Sequence, residues 1–473
     1  MTPSISIVWL RQDLRLTDNP ALAHAAKSGI VLPVYILDDS AAEPFKLGTA
    51  SKIWLHNSLT SLNRSLDGQL NVYRGKASEI IEQLITAYPV TNLFFNRCYE
   101  PWHVKQAEAV KKICSEKSVV CQEYNGNYLW RPDQVLKDDG TYYRVFTAYK
   151  RKAYTVPARH IIEQKLQIDL LADHYNTTTI TDLNLISSDT KWTEKQLMTQ
   201  WTVGETAAQK KLVAFVKNKL SGYKDERNYP GKNQPSMLSP HLHFGEISPA
   251  QVWQAVEKDG AAYANATDRE SFLNELIWRD FSSYLLYYFQ SLHKDNFNAD
   301  FDAFPWEKNL SHLRAWQTGH TGYPIVDAGM RQLWQTGYMH NRVRMITASF
   351  LVKNLNIHWH KGRDWFWDCL LDADLANNSA SWQWVAGCGV DPAPYFRIFN
   401  PVTQGEKFDK HGDYIRKFVP ELQKLPDKYL CKPWTAPEEI LQAAGVILGK
   451  DYPRPVVDLA DTRKKALAAY KTL

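Results

Sequence analysis

Several features of secreted and membrane proteins are absent from this 473-residue chain. Charged residues near its N-terminus, including Arg11, Asp13 and Arg15, exclude the apolar core of a signal peptide. No apolar run approaches the roughly 20 residues of a membrane span. The six cysteines form no CxxC pair, as is usual for reduced thiols, so neither disulfides nor a zinc cluster is expected. We therefore expect a cytoplasmic protein with no membrane partner and no metal. A monomer is also expected, although these features do not bear on oligomeric state.

Charge and aromatic content narrow the possible ligands. The formal net charge is only +5, too small for a histone-like binder, but the segment 210–232 is locally basic and would favour phosphates. A solvated helix face explains that segment at least equally well. The chain also contains 17 Trp, 24 Tyr and 18 Phe residues. Most of these are expected to fill the core, although such content also suits a flat, stacked ligand.

The N-terminal part alternates apolar runs with helical patterns. Continuous apolar runs predict buried strands, and helical spacing predicts helices between them. The predicted strands are 4–10, 30–37, 70–73, 91–95 and 119–124, and the predicted helices are 19–27, 51–66, 77–88 and 102–115. This alternation predicts an α/β domain with a doubly wound parallel sheet over residues 1–135. Because no GxGxxG follows the first strand, it is not an ordinary dinucleotide-binding domain.

The rest of the chain divides into a connection and a helical domain. Residues 136–200 include a stretch rich in Thr, Asn and Ser, which predicts a long surface connection. Strand signals almost vanish after Trp201, which predicts a large all-α domain over 201–473. The predicted helices are 206–221, 249–258, 268–291, 310–317, 324–336, 338–354, 363–371 and 375–386.

The segment DADLANNSASWQW, 372–384, combines acids, amides and tryptophans without a basic residue. In a helix, Asp374, Asn378 and Trp382 share one face, whereas Trp384 points elsewhere. A buried carboxylate and amide need partners, so these must come from outside the segment. Two interpretations of this polar face are equally well supported. The acids pair with arginines such as those of MHNRVRM, 339–345, or the face holds a heteroaromatic ring with its own NH and carbonyl groups.

Two further clusters carry polar groups at helical spacing. In FLNELIWRDF, 272–281, Glu275 and Arg279 are one turn apart beside Trp278, a spacing common for surface ion pairs. In SMLSPHLHFGEISP, 236–249, hydroxyls at Ser236 and Ser239 precede a predicted helix. They could hold a phosphate there, but helix capping is the better-supported role.

Together these clusters resemble the DNA photolyase and cryptochrome family. The resemblance spans nearly the whole chain and is carried by long strings in fixed order: WLRQDLRLTDNPAL, NELIWRDF, GYPIVDAGMRQL, GYMHNRVRMITASFLVKN, DADLANNSASWQWVAG and FRIFNPVTQGEKFD. Within the family the sequence is most similar to class I photolyases of cyclobutane pyrimidine dimers. The resemblance implies an FAD-binding helical domain and light-dependent DNA repair.

Site residues follow from the resemblance, position by position. Reduced FAD is expected to contact Tyr223, Pro235, Ser236, Met237, Leu238, Ser239, Phe272, Glu275, Arg279, Asn341, Arg344, Asp372, Asp374 and Asn378, with Asn378 facing the flavin N5. Pro235 and Met237 depart from the family pattern, since neither can donate a side-chain hydrogen bond. The dimer is expected to contact Glu275, Asn341, Met345, Trp278 and Trp384, and damaged DNA is expected to contact Arg227, Arg342, Arg397 and Gln404. Trp382, Trp359 and Trp306 match an electron-transfer chain.

The family contains sensors as well as repair enzymes, and they share one scaffold. Enzymes for (6-4) photoproducts carry histidines where this chain has Asn341 and Met345. Signalling cryptochromes have long C-terminal extensions and often a changed residue at the position of Asn378, whereas this chain stops at Leu473 soon after its last helical pattern. Dimer repair is therefore expected, with a cryptochrome-type blue-light receptor as the alternative. An antenna chromophore is expected near YEPWHVK, 99–105, and GTASKIWLHNSL, 48–59; methenyltetrahydrofolate is preferred over a deazaflavin.

Overall fold

The computed structural model describes residues 4–40, 44–163, 166–172, 177–392, 394–395 and 397–473. The chain divides into two compact units. The first comprises Met1–Ser221 and Ser236–Gln290, and the second comprises Gly222–Pro235 and Ser291–Leu473. The three-part division of the sequence at residues 135 and 200 stays a prediction.

The first unit contains the predicted parallel sheet. Its strands are β1 (Ile5–Leu10), β2 (Ile30–Leu37), β3 (Asn71–Arg74), β4 (Val90–Asn96) and β5 (Val120–Tyr124), in the order β3-β2-β1-β4-β5 with parallel pairing throughout. All six residues of β1 are buried, as expected for a sheet covered on both faces. The prediction of a doubly wound α/β fold is confirmed, and the five strands lie within a residue or so of their predicted bounds.

Among the described residues, ten of the first eleven α-helices belong to the first unit, and one short helix lies in the inserted segment of the second unit. They are α1 (Pro20–Ser28), α2 (Thr49–Ser65), α3 (Ala77–Ala87), α4 (Pro101–Glu116), α5 (Phe146–Ala153), α6 (Lys191–Met198), α7 (Glu205–Asn218), α9 (Ser239–His243), α10 (Pro249–Glu257) and α11 (Ala266–Tyr288), while α8 (Tyr223–Glu226) belongs to the second unit. Helix α1 begins after Asn19, whose side chain accepts the N–H of Leu22, a normal N-cap.

The predicted connection, 136–200, is more ordered than its composition indicates. It contains α5 and α6. It also pairs with the sheet through isolated bridges, between Val31 and Leu170 and between Val72 and Thr178. The second bridge lies on β3, which is an edge strand, so the connection covers backbone groups that an edge would otherwise expose.

The second unit is helical, as predicted. Its remaining helices are α12 (Leu310–Thr318), α13 (Pro324–Thr336), α14 (Asn341–Ser349), α15 (Trp359–Cys369), α16 (Leu375–Ala386), α17 (Pro401–Phe408), α18 (Asp413–Phe418), α19 (Asp427–Leu430), α20 (Glu438–Ala444) and α21 (Leu459–Tyr470). Among described residues after Trp201, β structure is limited to isolated bridges. The five helices from α17 onward were not predicted.

Two predicted helices of this unit have different bounds from the observed ones. The helix predicted at 338–354 begins at Asn341, because the side chain of His340 accepts the N–H of Arg342, and it continues as a π-helical turn over Phe350–Asn354. The helix predicted from residue 363 begins one turn earlier, at Trp359, because His358 caps it in the same way. Both caps are histidines, which are not among the usual N-cap residues.

Within the described part of the chain, no helix is both long and apolar enough to cross a membrane.

Candidate functional site

In the first unit, α11 presents a polar and aromatic face. Glu275, Trp278 and Arg279 are all half-buried along one side of the helix, while Leu276 and Ile277 are buried. Arg279 donates to the carbonyl of Asn127 at 2.9 Å and more weakly to that of Leu242. Its guanidinium is thus anchored to two backbone carbonyls.

Trp278 is held in place by a second ring. The ring of Phe146, at the start of α5, stacks on it with centroids 3.5 Å apart and planes 7° apart. Phe146 is buried, whereas Trp278 is half-buried. One face of the indole is therefore covered by protein, and the stacked pair holds the ring in place.

The segment 235–239 enters α9 without a side-chain cap. Leu238 is the N-cap residue, and no side chain accepts a hydrogen bond from the first turn. Ser236 Oγ instead accepts the N–H of Leu238 at 3.4 Å, and Ser239 is the first helical residue. The preferred capping role for these serines is therefore wrong. Met237 has a φ of +57°, a conformation that is uncommon for a non-glycine residue and is found at turns and ligand sites.

In the second unit, the two acids at the start of α16 have different partners. Asp372 accepts two hydrogen bonds from Nη2 of Arg344, at 2.9 and 3.2 Å. Asp374 is the N-cap of α16, where its Oδ1 accepts the backbone N–H of Asn377 at 2.7 Å. The pairing of Asp372 with an arginine of MHNRVRM is thus correct. For Asp374, the inference that partners come only from outside the segment is wrong, because capping supplies one from within.

The next residue of the predicted face is anchored to the neighbouring helix. Asn378 is buried, and its Nδ2 donates to the backbone carbonyl of Arg363 at 3.1 Å. This bond uses one of the two N–H groups of the amide and leaves the amide oxygen uncommitted. Trp382, one turn further along α16, is buried against α15. A Cβ atom added at Gly362 would lie 2.0 Å from the ring of Trp382.

The other two tryptophans of the predicted chain follow along α15 and its N-terminal side. Trp359 is fully buried and donates its Nε1–H to Asn296 Oδ1 at 2.8 Å. Trp306 is half-buried, and its ring lies 5.1 Å from that of His358, the residue before Trp359. All three tryptophans therefore lie in the same unit, near a single helix.

Helix α14 carries accessible groups on one side and core residues on the other. Asn341 is exposed and Met345, one turn later, is half-buried, whereas Val343 and Ile346 are buried. Trp384 of α16 is half-buried and packs against the same hydrophobic core.

Three arginines surround a buried histidine beside α14. Burial and, in decreasing order, the charges of Arg342, Arg344 and Arg227 together lower the pKa of His340 to about 4. His340 is therefore neutral at pH 7. Arg342 donates to Asn228 Oδ1 at 2.6 Å. This brings Arg227 and Arg342, two of the predicted DNA contacts, into one positive cluster within the second unit.

The two other predicted DNA contacts lie further along the chain. Arg397 is exposed, and its backbone carbonyl accepts a hydrogen bond from Lys353 Nζ at 3.1 Å. Gln404 is half-buried on α17, the helix that ends at Phe408. The guanidinium of Arg342 lies 4.5 Å above the ring of Phe408, so α17 packs beside the arginine cluster.

The predicted antenna segment of the first unit contains a compact polar cluster. Ligand atoms of Cys98, Glu100 and His103 all lie within 4.8 Å of one another. Glu100 already accepts a hydrogen bond from Gln12 at 2.6 Å and contacts His103 Nδ1 at 3.2 Å. The positive charge of Arg11, bonded to the His103 carbonyl, disfavours a cation there. The prediction of no metal stays a prediction.

Comparison with known proteins identifies the family. Two family models match the chain, "DNA photolyase" over residues 6–165 and "FAD binding domain of DNA photolyase" over residues 272–472. A deoxyribodipyrimidine photo-lyase from Agrobacterium fabrum is 45% identical over 98% of this chain and 97% of its own length. Cryptochrome-2 from Arabidopsis thaliana is 36% identical over 98% of this chain and 78% of its own length.

This chain belongs to the DNA photolyase and cryptochrome family. A bacterial class III photolyase from Agrobacterium tumefaciens has a solved structure with a TM-score of 0.95 and 43% identity, covering 100% of this chain and 98% of its own. The chain thus contains a photolyase FAD-binding domain. Its membership of class I, within the photolyase family, stays a prediction.

The residues assigned to FAD in this photolyase-family chain fit such a ligand. Near Glu275, the buried Asn274 Oδ1 lacks a hydrogen-bond partner among the described residues, which suits a polar group of a bound molecule. The uncapped first turn of α9 leaves backbone N–H groups of the kind that bind phosphate. The Arg344–Asp372 pair and the Asn378 amide offer fixed donors and acceptors.

Two contributors to this site were missed from the sequence. Phe146 is 132 positions before its stacking partner Trp278, and no local pattern connects them. Arg363 was not singled out, although its carbonyl holds Asn378 and its guanidinium lies 5.3 Å from the ring of Trp359. Its place one turn after Trp359 on a helical pattern was the available signal.

Proposed function

We propose that this protein repairs cyclobutane pyrimidine dimers in DNA with blue light. The observation that carries the proposal is the accessible face of α14, where Asn341 and Met345 lie one turn apart beside the anchored Arg344. An amide and a thioether suit a neutral, partly apolar pyrimidine dimer. They offer no proton donor of the histidine type that the (6-4) enzymes use.

When bound and reduced, FAD supplies the light-driven electron transfer that splits the dimer, and the protein supplies position and electrostatics. The backbone of Ser236 to Ser239 and the hydroxyls of the two serines would hold the phosphates. The Arg344–Asp372 pair and Asn378 would orient the ring system, with the Asn378 oxygen accepting a hydrogen bond. Tyr223, Pro235, Phe272, Glu275, Arg279, Asn341 and Asp374 are the other proposed cofactor contacts.

The dimer would be held by groups of complementary kinds. Glu275 and Asn341 would hydrogen-bond its polar edges, and Met345, Trp278 and Trp384 would contact its apolar faces. The stacking of Phe146 on Trp278 supports this role. It orders the indole of Trp278 before the dimer binds, so binding loses no further side-chain entropy there. The lesion must leave the duplex to reach these residues; photolyases are an established case of base flipping.

Positive side chains would hold the DNA backbone around the lesion. Arg227 and Arg342 belong to the cluster around His340, and Arg397 is exposed. Gln404 on α17 would add a neutral hydrogen bond. Phosphate contacts of this type make DNA binding fall as salt concentration rises.

Trp382, Trp359 and Trp306 would supply electrons that restore the reduced cofactor. An electron leaving Trp382 is replaced from Trp359, and that leaving Trp359 is replaced from Trp306. Their burial supports this order, because Trp382 and Trp359 are buried and Trp306 is half-buried. The last tryptophan to be oxidised is therefore the one that external reductants can reach.

An antenna chromophore would bind in the first unit near His103 and the α2 segment. Methenyltetrahydrofolate is the preferred candidate and a deazaflavin the second one. The half-buried ring of His103, bonded to Glu100, supports a polar contact to a pterin. The absorption spectrum of the freshly purified protein distinguishes the two chromophores. The monomeric state and the cytoplasmic location stay predictions.

The direct test uses purified protein with photoreduced flavin and an oligonucleotide containing one thymine dimer. Blue light is expected to restore the intact thymines, and darkness is not. Replacement Trp384→Phe should weaken binding of the damaged strand, whereas the matched control Trp334→Phe, at an exposed tryptophan with no proposed role, should not. A protein that binds FAD but restores no thymines under light contradicts repair and favours the cryptochrome alternative.

A further inference from the structure

We infer that Arg363 is a positioning residue for electron transfer, which acts through Trp359 by placing a fixed positive charge beside its ring. The inference rests on the proposed tryptophan chain and adds a residue that disfavours the oxidised state of its middle member. The guanidinium carbon lies 5.3 Å from the centre of the Trp359 ring. Arg363 is buried, with a side chain 8% exposed, so solvent screens this charge weakly.

The guanidinium is fixed by several hydrogen bonds. Its Nε and Nη2 donate to Asp364 Oδ1 at 2.9 and 2.7 Å, and Nη1 donates to the carbonyl of His293. The charge therefore stays beside Trp359 and does not swing into solvent. Asp364 offsets part of it, but that carboxylate is 54% exposed and is more strongly screened by water.

The two neighbouring imidazoles add no positive charge at neutral pH. The rings of His358 and His360 lie 5.8 and 4.1 Å from that of Trp359. Burial and the charge of Arg363 lower the pKa of His358 to about 4 and that of His360 to about 3. Both rings are therefore neutral at pH 7, whereas Arg363 carries a positive charge.

The effect of Arg363 on Trp359 reverses sign with oxidation. A cation over a neutral indole is attractive, so the contact favours the resting protein. When Trp359 has lost an electron, its ring carries a positive charge. Its Nε1–H donates to the amide oxygen of Asn296, which is too weak a base to remove the proton. The charge therefore remains on the ring and is repelled by Arg363.

This repulsion favours movement of the oxidised site away from Trp359. One electron passes from Trp306 to oxidised Trp359, which restores neutral Trp359 and leaves Trp306 oxidised. The repulsion lowers the population of oxidised Trp359 relative to that of oxidised Trp306. The electron deficit therefore rests further from the cofactor, where return of the electron is slower.

The contact between Arg363 and Asn378 provides an internal control. Asn378 bonds the backbone carbonyl of Arg363, which a change of side chain leaves in place. Side-chain variants are thus expected to alter radical lifetimes without altering the absorption spectrum of the bound flavin. A merely structural role for Arg363 would instead disturb both.

The test compares flavin-loaded, oxidised full-length proteins after a blue laser flash, with tryptophan radicals followed by transient absorption. In Arg363→Met the yield of long-lived tryptophan radical should fall at least about threefold, because the deficit stays on Trp359 and recombines. Arg363→Lys, which keeps the charge, should remain within about twofold of the wild type. Asp364→Asn, at an exposed side chain, removes the counter-charge and should lengthen the radical lifetime.

Radical yields in Arg363→Met equal to those of the wild type overturn the inference, as does an unchanged or shortened lifetime in Asp364→Asn. If Arg363→Met does not fold, Asp364→Asn decides alone. Trp359→Phe is measured in parallel. If it photoreduces its flavin normally, the tryptophan chain itself is wrong; if it does not, while the Arg363 and Asp364 variants behave as wild type, only the role of Arg363 is wrong.

Discussion

The ring of Trp382 lies directly on the backbone of Gly362: a Cβ atom at that position would lie 2.0 Å from Cη2 and 2.4 Å from Cζ3 of the indole. Glycine is therefore required there for space, within the core of the second unit. The contact places the first proposed electron donor one helical turn from Trp359 on α15.

We expect Gly362→Ala to displace Trp382. Overfilling a packed core costs about 1–3 kcal/mol, so the free energy of unfolding measured with denaturant should fall by that amount, and flavin photoreduction should slow. Lys361→Ala, at the exposed neighbouring position, is the control and should change neither. Wild-type photoreduction in Gly362→Ala would show that the position of Trp382 does not limit the reaction.

Much of the fold was accessible from sequence because local patterns encode it. Continuous apolar runs predicted β1 to β5 nearly at their observed bounds. The prediction that all five are buried is wrong for β5, an edge strand without a buried residue. The start of α14 was misplaced because His340, an unusual cap, ends the extended segment before it. The π-helical turn at Phe350–Asn354 has no local signature, since it depends on how the helix packs.

The candidate site was predictable to a different extent. Spacing alone placed Asn378 and Trp382 on one face, which the structure confirms, but it could not foresee that Asp374 would serve as a cap. Contacts between residues far apart in the chain could not be predicted from the sequence. The sequence around Trp278 contains no pattern that predicts its contact with Phe146, because the stacking joins residues from two separate helices.

Replacement Phe146→Leu tests the support of Trp278. Without the stacked ring the indole must be ordered when DNA binds, at a cost of about 0.5–1.5 kcal/mol for one side chain. Affinity for a dimer-containing strand should therefore fall about 2- to 10-fold, while flavin content remains the same. Fluorescence anisotropy of a labelled strand measures the affinity. Phe289→Leu, which removes a ring that contacts Tyr142, is the control. Equal affinities for the Phe146 variant and the wild type would contradict the support role.

The arginine cluster around His340 predicts the salt dependence of DNA binding. Arg342→Gln should weaken binding to damaged and undamaged duplex alike, because it removes a phosphate contact. The slope of log affinity against log salt should decrease in magnitude by about 1. Lys471→Gln, at an exposed C-terminal residue, removes one positive charge as Arg342→Gln does, but it should leave the slope unchanged. A wild-type slope in Arg342→Gln would place this side chain outside the DNA contact.

A buried acid in the first unit predicts how stability depends on pH. Asp280 accepts the backbone N–H groups of Leu129 and Trp130 at 2.7 and 3.3 Å. Burial raises the pKa of Asp280 to about 7, against the attraction of Arg279. In the unfolded chain an aspartate titrates near pH 4, at about 3.9. Between these two values the folded protein holds a proton that the unfolded chain has lost.

The stabilising contribution of Asp280 is therefore complete below about pH 4 and is lost as pH rises to about 7, by up to about 4 kcal/mol. Asp280→Asn removes this titration, so its free energy of unfolding should fall less steeply over that range, as measured by urea denaturation at several pH values. Its neutral amide keeps an oxygen for the two N–H groups. Asp300→Asn, at an exposed site, should keep the wild-type slope. Parallel slopes for Asp280→Asn and the wild type would mean that Asp280 is ionised in the folded protein throughout the range.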